Sequence, residues 1–258
     1  MRIDPGVLTD PSIGYIDPVG KKIVVIPVDV LSRQWTKYAP EIAKTFDRHF
    51  ADDVLTISRE YAKLMRLLHH ASTQIDSDKQ RKMHMLLMNT ATTLHAAIDL
   101  IRTGYRLQPG ILLRNVVESM ATVIVLCIEP GEFEQFEAGK FESSKAFTRA
   151  KKVLPPLGPI NGMLSNHFVH LGDLHASPQP VIIYNPEDEA AHAQLTFVRG
   201  IINLLYITSE LAFSGYGIER RYWRDVPGGG ITYDPDDEER QWQKEFLRIE
   251  EEELGIPT

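Results

Sequence analysis

Apolar residues recur at intervals of three and four along most of this chain, the period of helices with one buried face. From about Pro40 to Ser72 the repeating positions are Ile42, Phe46, Phe50, Val54, Ile57, Tyr61, Leu64 and Leu68, which predict one long helix. A second is predicted from about Ser77 to Tyr105, with N-cap candidates in Asp76-Ser77-Asp78 and a natural terminator in Gly104. A third starts at Pro109, a good first-turn residue, and runs to Ile128 ahead of Pro130. The short turn between the second and third helices makes them antiparallel neighbours. A more polar fourth helix spans roughly Glu132 to Val153 and ends in Pro155, Pro156 and Pro159. A short fifth follows, from about Ile160 to Leu171. A long sixth, from about Glu187 to Phe213, carries Phe197, Ile201, Leu204, Leu205, Ile207 and Leu211 on its apolar side.

Only two stretches read as strands, Lys22–Pro27 and Pro180–Tyr184, both rich in β-branched residues. Two strands make no independent sheet, so they are expected to pair with each other as a ribbon on a helical body. The predicted fold class is all-α, an antiparallel multi-helix bundle with a minor two-stranded β appendage. It forms one domain over residues 1–258. An irregular N-terminal segment (1–30) precedes a helical core (31–213), a linker (214–235) holding Gly228-Gly229-Gly230, and a C-terminal helix (236–254).

Composition adds limits. The chain has 258 residues, 43% of them apolar, enough to build a core without disulfides. Its single cysteine, Cys127, excludes an internal disulfide framework and sits in an apolar run, where inert core is the expected role. The net charge is −7, and the segment Asp234–Glu253 alone holds ten acids against three bases. The rest is formally neutral, which argues against strong non-specific binding of nucleic acid but leaves room for a local basic patch. Met-Arg-Ile-Asp-Pro-Gly places an acid and a proline where a signal peptide needs its apolar run, so a cytoplasmic location is expected. Arg114, Asn115 and Glu118 interrupt the longest apolar stretch, Ile111–Ile128, so a core helix and not a membrane span is expected.

That third helix carries the main candidate chemistry. Arg114 and Glu118 lie four apart, on one face of an otherwise apolar helix, and should be the most buried pair on the most buried element. One reading is an internal ion pair that fixes helix register. The other is a polar site in which Arg114 meets an anionic group. The only histidine cluster runs from Asn166 to His175 and contains His167, His170 and His175. Its spacing matches no zinc signature and it has no HExxH glutamate, so no metal and no cofactor are expected. His170 as a general acid or base fits better, because imidazole changes charge nearest neutrality. A basic stretch, Lys140, Lys145, Arg149, Lys151 and Lys152 with Phe141 and Phe147 interleaved, reads either as a solvated helix face or as a contact for a phosphate backbone. No phosphate loop, GxGxxG turn or GxSxG elbow is present.

Several of these residues form a pattern. Thr103-Gly104-Tyr105, the run Ile111–Glu118, Gly139-Lys140, and Leu164-Ser165 followed by Val169-His170 resemble an uncharacterised family of mostly bacterial helical domains. That family pairs an Arg-x-x-x-Glu helix with a later Leu-Ser…Val-His element and is distantly similar to the HEPN group. The resemblance spans roughly residues 60 to 210 and points to Arg114, Glu118 and His170, with Asn115 beside them. It implies a HEPN-like module of a bacterial defence or toxin system and a metal-independent ribonuclease. The partners it implies are RNA or a cognate regulatory protein, and a second copy of the chain. The sequence departs from the HEPN pattern in one respect: no arginine is followed by a histidine with four to six residues between them, so a site would combine Arg114 and His170 from two helices. A non-catalytic helical interaction module and a bundle that binds a small anionic ligand are the alternatives. Finally, Trp242, Phe246 and Ile249 form one stripe on the C-terminal helix, which should dock and bring its acids towards Lys140–Lys152.

Overall fold

The computed structural model describes residues 12–17, 20, 22–170, 173–176, 181 and 183–248. In chain order a hairpin of β1 (Ser12–Asp17) and β2 (Lys22–Pro27) leads into a helical turn, α1 (Val30–Arg33), and a π-helical turn, Gln34–Tyr38. There follow α2 (Ala39–His49), α3 (Ala51–Ser72), α4 (Asp78–Arg102), α5 (Gln108–Ile128), α6 (Glu132–Glu137) and α7 (Ser143–Val153). Next come α8 (Leu157–Leu164), a second π-helical turn at Ser165–Val169, α9 (Asp173–Ala176) and α10 (Glu189–Ala212). A second hairpin, β3 (Trp223–Asp225) and β4 (Ile231–Tyr233), and α11 (Asp237–Leu247) close the chain.

The fold is the helical bundle that the periodicity predicts. α4 packs along α5, and α10 packs against α3, α4 and α5 at once. Ser77 and Gln80 make the reciprocal cap that starts α4: Gln80 N–H donates to Ser77 Oγ (3.3 Å) and Ser77 N–H to Gln80 Oε1 (3.3 Å). Asp188 caps α10 by accepting from Ala191 N–H (2.9 Å) and also grips Arg106 Nη1 (2.9 Å), which ties the α4–α5 turn to the start of α10.

Several boundaries differ from the sequence pattern. The helix predicted over 40–72 breaks at Phe50, whose ring turns into the core between α2 and α3. The one predicted over 132–153 splits at Gly139, where φ is +67°, a conformation that costs glycine nothing. Helix α8 begins ahead of Pro159, because a proline in the first turn displaces no helical hydrogen bond.

The strand pairing requires a correction. Lys22–Pro27 is a strand, but its antiparallel partner is Ser12–Asp17, not Pro180–Tyr184. A local hairpin closes a shorter loop than a pairing across the whole chain. Among the described residues of the second stretch, Val181, Ile183 and Tyr184 lie in no strand. Tyr184 instead plugs the core, edge-on to Phe46 and Phe50, with its N–H on Thr45 Oγ1 (3.1 Å) and its hydroxyl on the Ile101 carbonyl.

The expected linker over 214–235 holds the β3–β4 hairpin. Gly228, Gly229 and Gly230 form its turn with positive φ, and Trp223 is buried with its indole N–H on the Ile207 carbonyl (2.9 Å). The C-terminal helix docks as its apolar stripe requires, through Phe246 and Leu247, but against α10. Its described acids pair with the start of the hairpin and the segment ahead of it, Glu239 with Arg221 (3.2 Å) and Asp236 with Arg224 (3.5 Å). No ion pair among the described residues joins them to Lys140–Lys152. Ile249 and the rest of the predicted helix to 254 lie outside the described residues.

The most buried helix is α10, not α5. An 18-residue window of α10 is 78% buried, against 56% for α5. Both are long and apolar enough to cross a bilayer by length and composition, and in this fold both pack against other helices. Near the end of α10, Glu210 is fully buried, and its Oε1 accepts the N–H groups of Arg221 (2.8 Å) and Tyr222 (2.9 Å). Burial pushes this carboxyl up to about 7, with the two N–H donors pulling the other way.

Folding therefore takes up a proton at Glu210 between pH 4.5, its ordinary value, and about 7. The stability that this site contributes is complete below that window and is lost as pH rises through it. Relative to wild type, Glu210→Gln is expected to keep the hairpin anchored and to flatten this pH dependence. The difference between about pH 5 and about pH 8 should be on the order of 2 kcal/mol in urea unfolding. Equal pH slopes for the two proteins would contradict it.

Candidate functional site

The third predicted helix, α5, brings Arg114 to a junction of three elements. The Arg114 side chain is 18% exposed, and its Nη2 pairs with Glu118 Oε1 at 2.8 Å, one turn along the same helix. Its Nε–H donates to Ser165 Oγ at 3.0 Å. Its guanidinium lies 6.0 Å over the Phe147 ring of α7. Nη1 is buried and has no hydrogen-bond partner. The ion pair expected from the i, i+4 spacing is therefore present. It is not dry, because the Glu118 side chain is 42% exposed.

The Leu164-Ser165…Val169-His170 element reaches this junction through the π-helical turn that follows α8. One extra residue in the turn delivers Ser165 to Arg114, and the Ser165 carbonyl accepts the N–H of His170 (3.0 Å). Ser165 thus holds Arg114 with its side chain and His170 with its backbone. The His170 imidazole is exposed. Asn115 is exposed on α5, and no contact joins it to the junction.

The turn is seated by a close approach. A Cβ on Gly110 of α5 would lie 2.1 Å from Cγ of Phe168, so only glycine lets the turn settle there. From the other side Phe168 meets Phe197 of α10 edge-on at 6.1 Å, and His175 bonds the Phe168 carbonyl (3.2 Å).

The basic stretch sits next to this junction, because α7 packs on α5 and Phe147 underlies Arg114. Its five cations are not equivalent. Arg149 is held by Glu129 and Glu132, both at 2.7 Å, and Lys145 by Glu142 at 2.7 Å. Hydrogen bonding to Arg149 in turn holds the Glu132 carboxyl below its ordinary value. Lys140, Lys151 and Lys152 are exposed. Among the described residues, no three His, Cys, Asp or Glu side chains converge as a metal site would require. Burial pushes the Cys127 thiol up to about 12, which suits an inert core residue.

Two further polar constellations centre on Arg199 and Glu210 of α10, which the sequence pattern does not single out. Arg199 of α10 is 3% exposed, pairs with Asp53 of α3 and donates to the Phe246 carbonyl (2.8 Å). Glu210, Tyr222 and Glu239 form a second chain, in which the Tyr222 hydroxyl donates to Glu239 Oε2 at 2.7 Å. The available signal was a charged residue at an apolar-period position inside α10. No family model, curated protein or solved structure matches the chain.

Gly110→Ala is expected to push Phe168 out of its seat and to cost about 1–3 kcal/mol in unfolding free energy, as overpacking does. The Arg114–Ser165 bond should loosen with it. A urea midpoint equal to wild type would mean that the turn does not rest on Gly110.

Proposed function

We propose that the chain is a HEPN-like helical module that engages RNA where α5, α7 and the Ser165–His170 turn meet, and that it cleaves RNA without a metal. One observation carries this reading: Arg114 and His170, 56 positions apart in numbering, are both held by Ser165. In this reading Arg114 stabilises negative charge on the phosphorane. His170 removes the proton from a ribose 2′-OH, whose oxygen attacks the adjacent phosphorus. The bond to the 5′ oxygen breaks, that oxygen takes a proton from water, and a 2′,3′-cyclic phosphate remains. Lys140, Lys151 and Lys152 provide backbone contacts, while Lys145 and Arg149 serve their own glutamates.

Glu118 has a defined part in this scheme. It occupies Arg114 in the free protein, and its half-exposed position lets it swing into solvent when a phosphate takes its place. Asn115 has no assigned role.

A second reading, a non-catalytic interaction module that works as a homodimer, draws on a different observation. Val28, Val30, Leu31, Trp35 and Tyr38 follow the first hairpin and are all exposed, Trp35 at 67%. Such a run is unusual on a lone chain. Light scattering at twice the mass of one chain, reverting to one with Trp35→Ser, is the outcome that this reading requires.

The ribonuclease reading is tested with short single-stranded RNA in excess chelator. Wild type should cleave to cyclic-phosphate ends, and His170→Ala should abolish cleavage while binding persists. Arg114→Met should weaken binding about tenfold or more, the loss of a charged hydrogen bond. Glu118→Gln should tighten binding, because the competing carboxylate is gone. RNA affinity indifferent to both Arg114→Met and Glu118→Gln would defeat the assignment of the site.

A further inference from the structure

A second site lies where α3, α10, the segment leading into β3 and α11 meet around a cavity of about 140 Å³. Asn203 of α10 is part of its buried polar lining. That side chain is 5% exposed, and its amide oxygen is buried without a hydrogen-bond partner. An unpaired amide at this depth costs free energy unless a guest supplies the missing bond. A carboxamide offers one acceptor and a pair of donors side by side, so its natural complement is another amide edge.

The remaining walls narrow the guest further. Tyr206, Tyr222 and Trp242 line the cavity with aromatic surface. The Lys63 ammonium lies 5.1 Å from the Trp242 ring, and Phe246 stacks on the indole at 5.0 Å. The volume matches one planar six-membered ring, since a cavity of about 150 Å³ holds benzene. Charge at the rim is mixed: Glu60, Glu238 and Glu239 against Lys63 and Arg221. Carboxylates outnumber cations there, which favours a neutral guest over a phosphorylated one.

We propose that this cavity binds a neutral, planar six-membered ring that carries an amide edge, with the edge on Asn203 and the ring among the aromatic walls. Pyrimidine bases and nicotinamide share this chemistry. The site does not involve Arg114, Ser165 or His170, so it stands or falls apart from the ribonuclease reading.

The full-length chain is titrated with uridine, nicotinamide and uridine monophosphate, by calorimetry and by the shift of the Trp242 indole N–H resonance. At about a hundredfold excess over its Kd, the preferred guest should raise Tm by about 5 °C or more. Whichever of uridine and nicotinamide binds more tightly identifies the source of the ring. Uridine monophosphate should bind more weakly than uridine. Asn203→Ala, checked for folding by circular dichroism, should weaken binding about tenfold or more. Should Asn203→Ala prove unfolded, Tyr206→Ala supplies the second variant with the same expected loss, and Arg114→Met should leave these affinities unchanged. No binding of either neutral ring, binding that leaves the Trp242 resonance unmoved, or affinity undiminished in the folded cavity variants would overturn the proposal.

Discussion

Helix α10 is enclosed by its neighbours, and this governs how the molecule is assembled. From Val198 onwards α10 is almost wholly buried and its polar side chains have little water. Thr208 and Ser209 turn back to carbonyls of α10 itself, while Gln194, Arg199 and Glu210 find partners on other elements. Each of the latter partnerships fastens a neighbour. Gln194 donates to the Tyr105 and Arg106 carbonyls and holds the α4–α5 turn. Arg199 joins α3 to α11 through Asp53 and the Phe246 carbonyl. Glu210 and the Ile207 carbonyl hold the β3–β4 hairpin. The apolar residues between these clamps supply most of the burial energy, and the clamps choose which neighbour lies against which face.

Two arginines show how different such pairs can be. Arg199 is sealed, and burial lowers its affinity for a proton although Asp53 lies against it. Truncating Asp53 would strand the Arg199 charge in the core, whereas truncating Arg199 would leave Asp53 paired with Arg248 at 3.0 Å. Arg114 is also mostly covered, but its carboxylate partner faces water and its second hydrogen bond goes to a hydroxyl. Removing Arg114 therefore strands no carboxylate in a dry environment. Arg199 has the arrangement of a fastening and Arg114 that of a group whose partner is exchangeable. Sequence spacing alone could not separate them.

The long helices were legible because their apolar period persists over many turns and their caps are local: Ser77 and Gln80 for α4, Pro109 for α5. What escaped was everything decided by contacts distant in sequence. Gly110 reads as an ordinary early-helix glycine until Phe168 is seen against it. Val-Ile-Ile-Tyr has strand composition, yet Tyr184 is worth more as a plug between Phe46 and Phe50 than as a strand residue. The triple glycine suggests a flexible linker, whereas the adjacent Trp223 is the anchor of a packed hairpin. At the candidate site, Arg114, Glu118 and the Ser165–His170 element were all readable. Their meeting depends on a π-helical turn, which no periodicity announces.

The charge distribution gives the site its direction. The chain is acidic overall, and the C-terminal acids might have spread negative potential across the body. They do not act that way among the described residues. Glu239 and Asp236 take up Arg221 and Arg224, and Asp234 takes up Arg240 at 2.8 Å. Acid and base are thus neutralised together around the hairpin and α11, the same region in which the Asn203 cavity carries a slight excess of carboxylate. On the α5–α7 side Lys140, Lys151 and Lys152 are exposed, and Arg149 pairs with both Glu129 and Glu132, offsetting one of their two charges. Under the ribonuclease reading a polyanion would meet these lysines and not the carboxylates of the cavity. Screening would confine any such attraction to about 8 Å at physiological salt, so in that reading the charges that matter to the junction are those of α7, the helix that packs on α5 and puts Phe147 under Arg114.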